Sequence, residues 1–342
     1  MHGLRAHIGS FTSAGGRGVV TAAVGPGTGA LTALQATDAV ADPSFLTVDP
    51  VRGLLYAVSE TDPGAAAAFR LTDEGVEPAG PAVPVAGVHP THLALAAGHL
   101  VTANYGSGSV STLSLGADGL PTGDVAVLRH EGSGPDAGRQ EGPHAHWVGA
   151  DPTGRWLLSV DLGTDSVRVC RVTGDGAAVH GETPLRAGSG PRHLAFHPRG
   201  HRAYVVNELA PTVTVLAWDA DRGELTPLDE VRALPEDAEG PAYASGIVAA
   251  ADGRFLYTAL RGHDSVSVLA LDDTGSALTL EANVPCGGDW PRDLALHPQG
   301  THLYVANERS GDVTCFALDE ATGVPLRTGA LPVPAASCVV FA

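Results

Sequence analysis

The feature that most constrains this 342-residue chain is a phrase that keeps returning at a near-constant interval. Residues 190–209 read GPRHLAFHPRGHRAYVVNEL, and residues 290–309 read WPRDLALHPQGTHLYVANER. Related copies begin at Pro43 (PSFLTVDPVRGLLYAVSE), Pro90 (PTHLALAAGHLVTANYGS), His144 (HAHWVGADPTGRWLLSVDLG) and Ala244 (ASGIVAAADGRFLYTALRG), and a truncated one, AASCVVFA, ends the chain. One apolar position per copy (Leu46, Leu93, Val148, Leu194, Ile247, Leu294, Val339) falls at steps of 47, 55, 46, 53, 47 and 45 residues. From Val339 through the C-terminus and on from Met1 to Leu46 is a further 49. The series closes on itself. Seven units are present, one of them split between the two ends.

Each unit alternates apolar and polar residues with period two, broken by Gly, Asp and Pro about every ten residues, as short antiparallel strands do. After Pro191 the stretches HLAFH, AYVVNE, VTVLAWD and LTPLDEVRA read as four strands. Four strands per unit at this period predict an all-β, seven-bladed β-propeller with four-stranded antiparallel blades. The final SCVVFA is expected to pair near RAHIGSF and GVVTAAV, closing the ring and removing exposed strand edges. No window sustains a helical stripe and no linker interrupts the series, so residues 1–342 read as one domain. The dipeptide Trp218-Asp219 occurs in one unit only, without a Gly-His partner ahead of it, and does not indicate a WD-repeat propeller.

Hairpin arithmetic then places the charged residues. A tight turn at Gly200 predicts that residues at equal offsets face each other, which pairs Arg192 with Glu208. Arg292 and Glu308 straddle Gly300 in the same way, Ser245 and Arg261 straddle Gly253, and His146 and Asp161 flank the PTG turn. Every unit thus brings the start of its first strand and the end of its second to one face of the disc, around the mouth of the channel. The inner-strand members are Ser44, Thr91, His146, Arg192, Ser245 and Arg292; the second-strand members are Glu60, Asp161 (one residue earlier), Glu208, Arg261 and Glu308. A cross-strand ion pair stabilises a hairpin by about 0.2–1 kcal/mol, and a staple is the reading for Arg292 and Glu308. A staple favours sameness, however, and the mixture of His, Arg, Glu and Asp elsewhere points to a binding site.

Composition narrows what such a site can do. With 38 acidic and 20 basic side chains the net charge is −18, which argues against nucleic acid as a partner. All 20 basic residues are Arg, so a Walker P-loop, Schiff-base chemistry and a lysine base are excluded. Cys170, Cys286, Cys315 and Cys338 stand far apart, which suits buried thiols in a reducing, cytoplasmic setting. MHGLRAHIGSF lacks the apolar stretch of a signal peptide, and no run approaches the roughly 18 apolar residues of a membrane span.

The stretches RQEGPHAHWVGADPTGRWLLSVDLGTDSV (139–167) and GPRHLAFHPRGHRAYVVNEL resemble the lactonase family of seven-bladed propellers, which includes propeller-type 6-phosphogluconolactonases and the fungal carboxy-muconate cycloisomerase. The similarity runs from HIGSFTSAGGRGV through the last complete blade. It implies a cleft at one end of the channel with His144, Arg192, Glu208 and Arg261 as the catalytic group, and His146, Asp161, His193 and Arg292 beside them binding substrate. In its fifth blade the family often reads AEI…SNRG, where this chain has Gly246 and Leu260.

Lactone hydrolysis needs a base to activate water, and His or Glu can serve. It also needs donors for the oxyanion and a grip on the anion, which guanidinium groups supply. Glu208 either orients Arg192 or is itself the base. No Ser lies in a G-x-S-x-G elbow. His144, His146, Asp161 and Glu208 offer metal-ligand atoms, but the adjacent arginines oppose a cation, so no metal or cofactor is expected. His197 and His297 read as turn caps. The leading expectation is hydrolysis of an anionic sugar lactone, 6-phosphogluconolactone foremost. The alternatives are a cycloisomerase that forms a lactone from a muconate-type diacid, and a non-catalytic binding platform, for which aromatics at 5% offer little surface. The expected partner is the small anionic lactone, with neither nucleic acid nor membrane; the sequence leaves the oligomeric state open.

Overall fold

Alternating apolar residues build seven antiparallel sheets, described here from a computed structural model over residues 3–342. Blades are numbered from the copy at Pro43. Their first strands are Leu46–Asp49, Pro90–Ala96, Ala145–Ala150, Pro191–Phe196, Tyr243–Ala249, Pro291–Leu296 and Ala336–Phe341. These strands neighbour one another in turn, the last returning to the first, so they form the inner wall of a ring. Blade 4 shows the pattern: Pro191–Phe196, Arg202–Asn207, Thr212–Asp219 and Glu224–Arg232 pair in sequence order. Burial falls outward, from a second strand that is almost wholly buried to a fourth that is mostly exposed.

The ring closes as the repeat arithmetic requires. Ala336–Phe341 lies antiparallel to Arg5–Ser10, with Ile8 opposite Val339, and Val19–Val24 and Leu31–Thr37 complete blade 7. The one helical element among the described residues is a short 3-10 turn, Thr12–Ala14.

Each seam between neighbouring blades holds its own apolar core. Trp156, Leu158 and Val160 of blade 3 pack against Leu194, Val205 and Leu216 of blade 4, and the other six seams are filled in the same manner. Burying a tyrosine there requires a partner for its hydroxyl. Tyr56, Tyr204, Tyr257 and Tyr304 donate to the carbonyls of Gly119, Gly275, Gly323 and Gly29 in the next blade, at 2.7, 2.8, 3.0 and 2.8 Å. The acceptor must be glycine where the turn runs at positive φ. At Gly275 φ is 66°, and a Cβ would also stand 2.8 Å from the Tyr204 oxygen. In the first-to-second-strand turns, His197 and His297 accept the backbone N–H of Arg199 and Gln299 through Nδ1 and cap them.

Candidate active site

The equal-offset pairing holds to within one residue, and the difference is a β-bulge. Pro191 pairs with Asn207 and His193 with Val206, which leaves Arg192 unpaired between them. Thr91, His146, Arg292 and Ser337 sit in the same bulge of their blades, and Ser245 with Gly246 opposes a single residue, Ala259. A bulge re-aims its side chain out of the sheet's alternation. Arg192 is turned along the strand toward Glu208, which follows Asn207 and donates its N–H to the Gly190 carbonyl at 2.7 Å.

Glu208 is the centre of the constellation. Its Oε2 lies 2.7 Å from Arg261 Nη2 and 3.2 Å from Arg192 Nε, and its Oε1 lies 2.6 Å from Arg139 Nη2. Burial alone would raise this carboxyl, but Arg261, Arg192 and Arg139 hold it well below the usual carboxylate range. A carboxylate held so low is a weak base. Three guanidinium groups around one carboxylate leave a surplus of two positive charges. Burial, reinforced by Arg261 and Arg292, lowers Arg192 to about 9, so it remains charged at neutral pH. Arg192 Nη1 is buried without a hydrogen-bond acceptor.

The mouth has an opposite pole. Arg292 pairs with Glu308 at 3.0 Å and with Glu60 of blade 1 at 3.5 Å, its guanidinium lying 4.8 Å over the Phe11 ring. Here two carboxylates share one cation. Arg192 and Arg292 are therefore equivalent in sequence and unequal in electrostatics: a small anion is favoured beside Arg192 and opposed beside Arg292.

His144 stands where the 130–144 segment enters blade 3. Its ring stacks on Tyr105, with centroids 4.4 Å apart, and its Nδ1 lies 2.9 Å from the Tyr105 carbonyl. A carbonyl only accepts, so Nδ1 carries the proton and the neutral ring presents its lone pair at Nε2. Glu141, largely exposed, stands 3.3 Å from that Nε2, where it can pair with the imidazolium. Tyr105 links the two halves of the site, since its hydroxyl is 3.4 Å from the Arg139 Nη2 that holds Glu208.

Asp161 is not in the lumen. Its Oδ1 accepts the backbone N–H of His144, Gly163 and Thr164, and its Oδ2 meets His130 Nδ1 at 2.6 Å and Arg168 Nη1 at 3.3 Å. This carboxylate is spent on the turn that positions His144. His146 and His193 face the channel, their rings 5.3 Å apart, with His92, Phe45 and Trp147 forming a floor beneath. Burial, with Arg192 next, pushes both far below the usual histidine value, and His92 to about 3. They stand neutral, with His146 Nδ1 and His193 Nε2 unpartnered.

Two residues missed by the sequence reading, Arg139 and Tyr105, belong to this site. Arg139 lies within the quoted RQEGPHAH stretch, on a segment without a counterpart in the other copies; Tyr105 occupies the second-strand position of Glu208 but carries no charge. The departures at Leu260 and Gly246 also have physical reasons. Asn104, Asn207 and Asn307, equivalent to Leu260, are structural: each is buried and its amide tethers residues at the start of the third strand. In blade 5 Asn283 of the fourth strand binds Ser265 and Ser267 instead. At Gly246 a Cβ would meet Asp293 Oδ1 at 2.8 Å. Among the described residues no group of three or more His, Cys, Asp or Glu is arranged to hold a metal ion.

Fold and site together define a seven-bladed propeller with a cluster of arginines and neutral histidines where its inner strands begin. The chain belongs to the lactonase family of seven-bladed β-propellers, whose family model matches residues 5–341. It is 30% identical over 347 aligned positions to the 6-phosphogluconolactonase of Bacillus subtilis, covering 98% of this chain and 97% of that one. Among solved structures it is similar to the Pseudomonas aeruginosa periplasmic gluconolactonase (TM-score 0.90, 27% identity, 99% and 98% coverage). It is likewise similar to a Lactobacillus plantarum protein (TM-score 0.91, 29% identity, 99% of both chains).

Proposed function

We propose that this protein hydrolyses an anionic sugar lactone, 6-phosphogluconolactone, to 6-phosphogluconate. The observation that carries the reading is Glu208 bound by Arg139, Arg192 and Arg261, two of them buried, beside a His144 whose Nδ1 proton is held by the Tyr105 carbonyl, leaving Nε2 as its basic nitrogen. The name of the Bacillus subtilis relative supports the choice of substrate. In this mechanism His144 Nε2 takes a proton from water as its oxygen attacks the lactone carbonyl. The charge that develops on the carbonyl oxygen is met by the Arg192 and Arg261 guanidinium groups, which Glu208 holds in place. Collapse breaks the bond to the ring oxygen, and the proton on His144 passes to that oxygen, giving the open hydroxy acid. Glu141 stabilises the transient imidazolium. A cytoplasmic setting goes with this reading, supported by four free, buried cysteines; cell fractionation checks it.

The test is turnover of a lactone panel by wild type and His144→Gln, with spontaneous hydrolysis subtracted. Wild type is expected to accelerate the phosphorylated lactone, and His144→Gln to lose about 10²–10⁴-fold. No acceleration of any lactone by wild type would overturn the reading.

A further inference from the structure

Arg192 and Arg261 lie on the blade walls with side chains 3% and 8% exposed, and Glu208 engages both. Arg139 differs. Its side chain is 38% exposed, and only Nη2 contacts acceptors, leaving Nε and Nη1 toward solvent. It also comes from outside the sheets, on the stretch 130–144, the longest connection between blades.

That segment is built rather than slack. Gln140 is fully buried; its Nε2 donates to the Leu162 carbonyl at 2.8 Å and its Oε1 accepts the Asp136 N–H at 3.1 Å. Asp136 Oδ1 accepts the N–H of Gly138 and of Arg139 itself. The segment thus carries one guanidinium across the seam from blade 3 to the Glu208 carboxylate of blade 4. Beside it stands the Tyr105 hydroxyl, which burial favours keeping protonated. Free N–H donors on a guanidinium and a hydroxyl at the positive pole of the mouth match a phosphate oxygen set. The other nearby carboxylate, Glu141, faces His144.

We infer that Arg139 and the Tyr105 hydroxyl form a subsite for a phosphate ester on the substrate, and that Arg139 sets the enzyme's preference for phosphorylated over neutral sugar lactones. The inference rests on the lactonase reading. Nη1 and the Tyr105 hydroxyl take the phosphate while Nη2 stays on Glu208, so substrate charge and the carboxylate that positions Arg192 and Arg261 are joined through one side chain.

The experiment compares wild type, Arg139→Gln and Arg139→Lys on 6-phosphogluconolactone and on glucono-δ-lactone. It is paired with calorimetric binding of the two product acids. For Arg139→Gln, kcat/KM should fall at least about tenfold more on the phosphorylated lactone than on the neutral one, chiefly through KM. Arg139→Lys should recover part of the preference, because a point charge still attracts phosphate. Equal losses on both lactones, or none on either, would show that Arg139 only braces Glu208 and would overturn the inference. If wild type hydrolyses neither lactone, the functional reading fails, and binding alone decides. A wild type without preference for the phosphorylated acid, or a preference unchanged in Arg139→Gln, then overturns the inference as well.

Discussion

Replacing Glu208 with glutamine keeps the shape of the side chain and removes the one negative charge that three arginines share. Oxygen-to-nitrogen distances of 2.6, 2.7 and 3.2 Å put the charge centres near 4 Å, where each pair is worth about 4 kcal/mol at an effective dielectric of about 20. Solvent screens much of the Arg139 contribution, and the cost of burying the ions offsets part of the rest. Removing one member of such a buried cluster costs about 3–5 kcal/mol. For 342 residues, an unfolding entropy of about 2.1 cal/mol/K per residue gives roughly 0.7 kcal/mol/K, so the Tm should fall by about 4–7 °C. The pH dependence has a definite sign. Because the folded carboxyl lies below its ordinary value, its contribution is complete above the carboxylate range and is lost as pH falls. Calorimetric Tm values for wild type and Glu208→Gln should therefore differ by the full amount near pH 7 and by progressively less as pH falls below about 4.5, with part of the difference still present at pH 3. Activity should drop by about 10²-fold as the arginines lose their alignment, while the acid limb of the pH–rate profile stays. A variant that melts with wild type at every pH and loses the acid limb would make Glu208 the base and refute this reasoning.

Three further outcomes are expected. Arg192→Ala should lower kcat/KM by about 10²–10³-fold, and at least tenfold more than Arg292→Ala; equal, small losses in steady-state assays would leave both as hairpin staples. Deleting Ser337–Ala342 removes the inner strand of blade 7, in which Ser337, Cys338 and Val339 are buried. It should lower Tm by more than about 10 °C or abolish a single cooperative transition, and an unchanged melting curve would count against closure by this strand. Dialysis against a strong chelator should leave turnover unaltered; loss of activity, restored by one divalent ion, would mean that the mouth holds a metal.

The architecture was legible because the repeat is dense: one apolar position per unit, spaced around a closed circle, dictated blade number and the pairing of the chain ends. The site was legible where it follows the repeat. Arg192, Glu208, Arg261 and Arg292 emerge from turn-centred counting, which errs only by the bulged residue, since a bulge leaves no mark in a strand's composition. Arg139 was passed over because its segment has no counterpart in the other copies. Asp161 looked like a lumen residue although it stands one residue early: by register it matches the buried Asn207 and not Glu208, and His130, thirty-one residues upstream, and the N–H of His144 claim its oxygens. Tertiary partners of that kind cannot be read from local spacing. Tyr105 gave little signal, as a tyrosine near a strand end more often packs than positions a histidine.

The bulge recurring in six inner strands has a consequence for how such a molecule diversifies. In an ordinary strand a substitution must respect which face is packed, so most changes are filtered out by stability before function can vary. A bulged residue is exempt from that alternation, though not from its contacts. Ser245 Oγ is tied to the Pro291 carbonyl of the next blade at 2.6 Å and Thr91 Oγ1 to the His146 carbonyl at 3.3 Å, whereas Arg192 and Arg292 spend their side chains on charged partners at the rim. The ring is thus an address in which some characters can be rewritten and others are fixed to the scaffold. Descendants of one ancestral blade could acquire new chemistries by editing that address while inheriting the seams and closure intact.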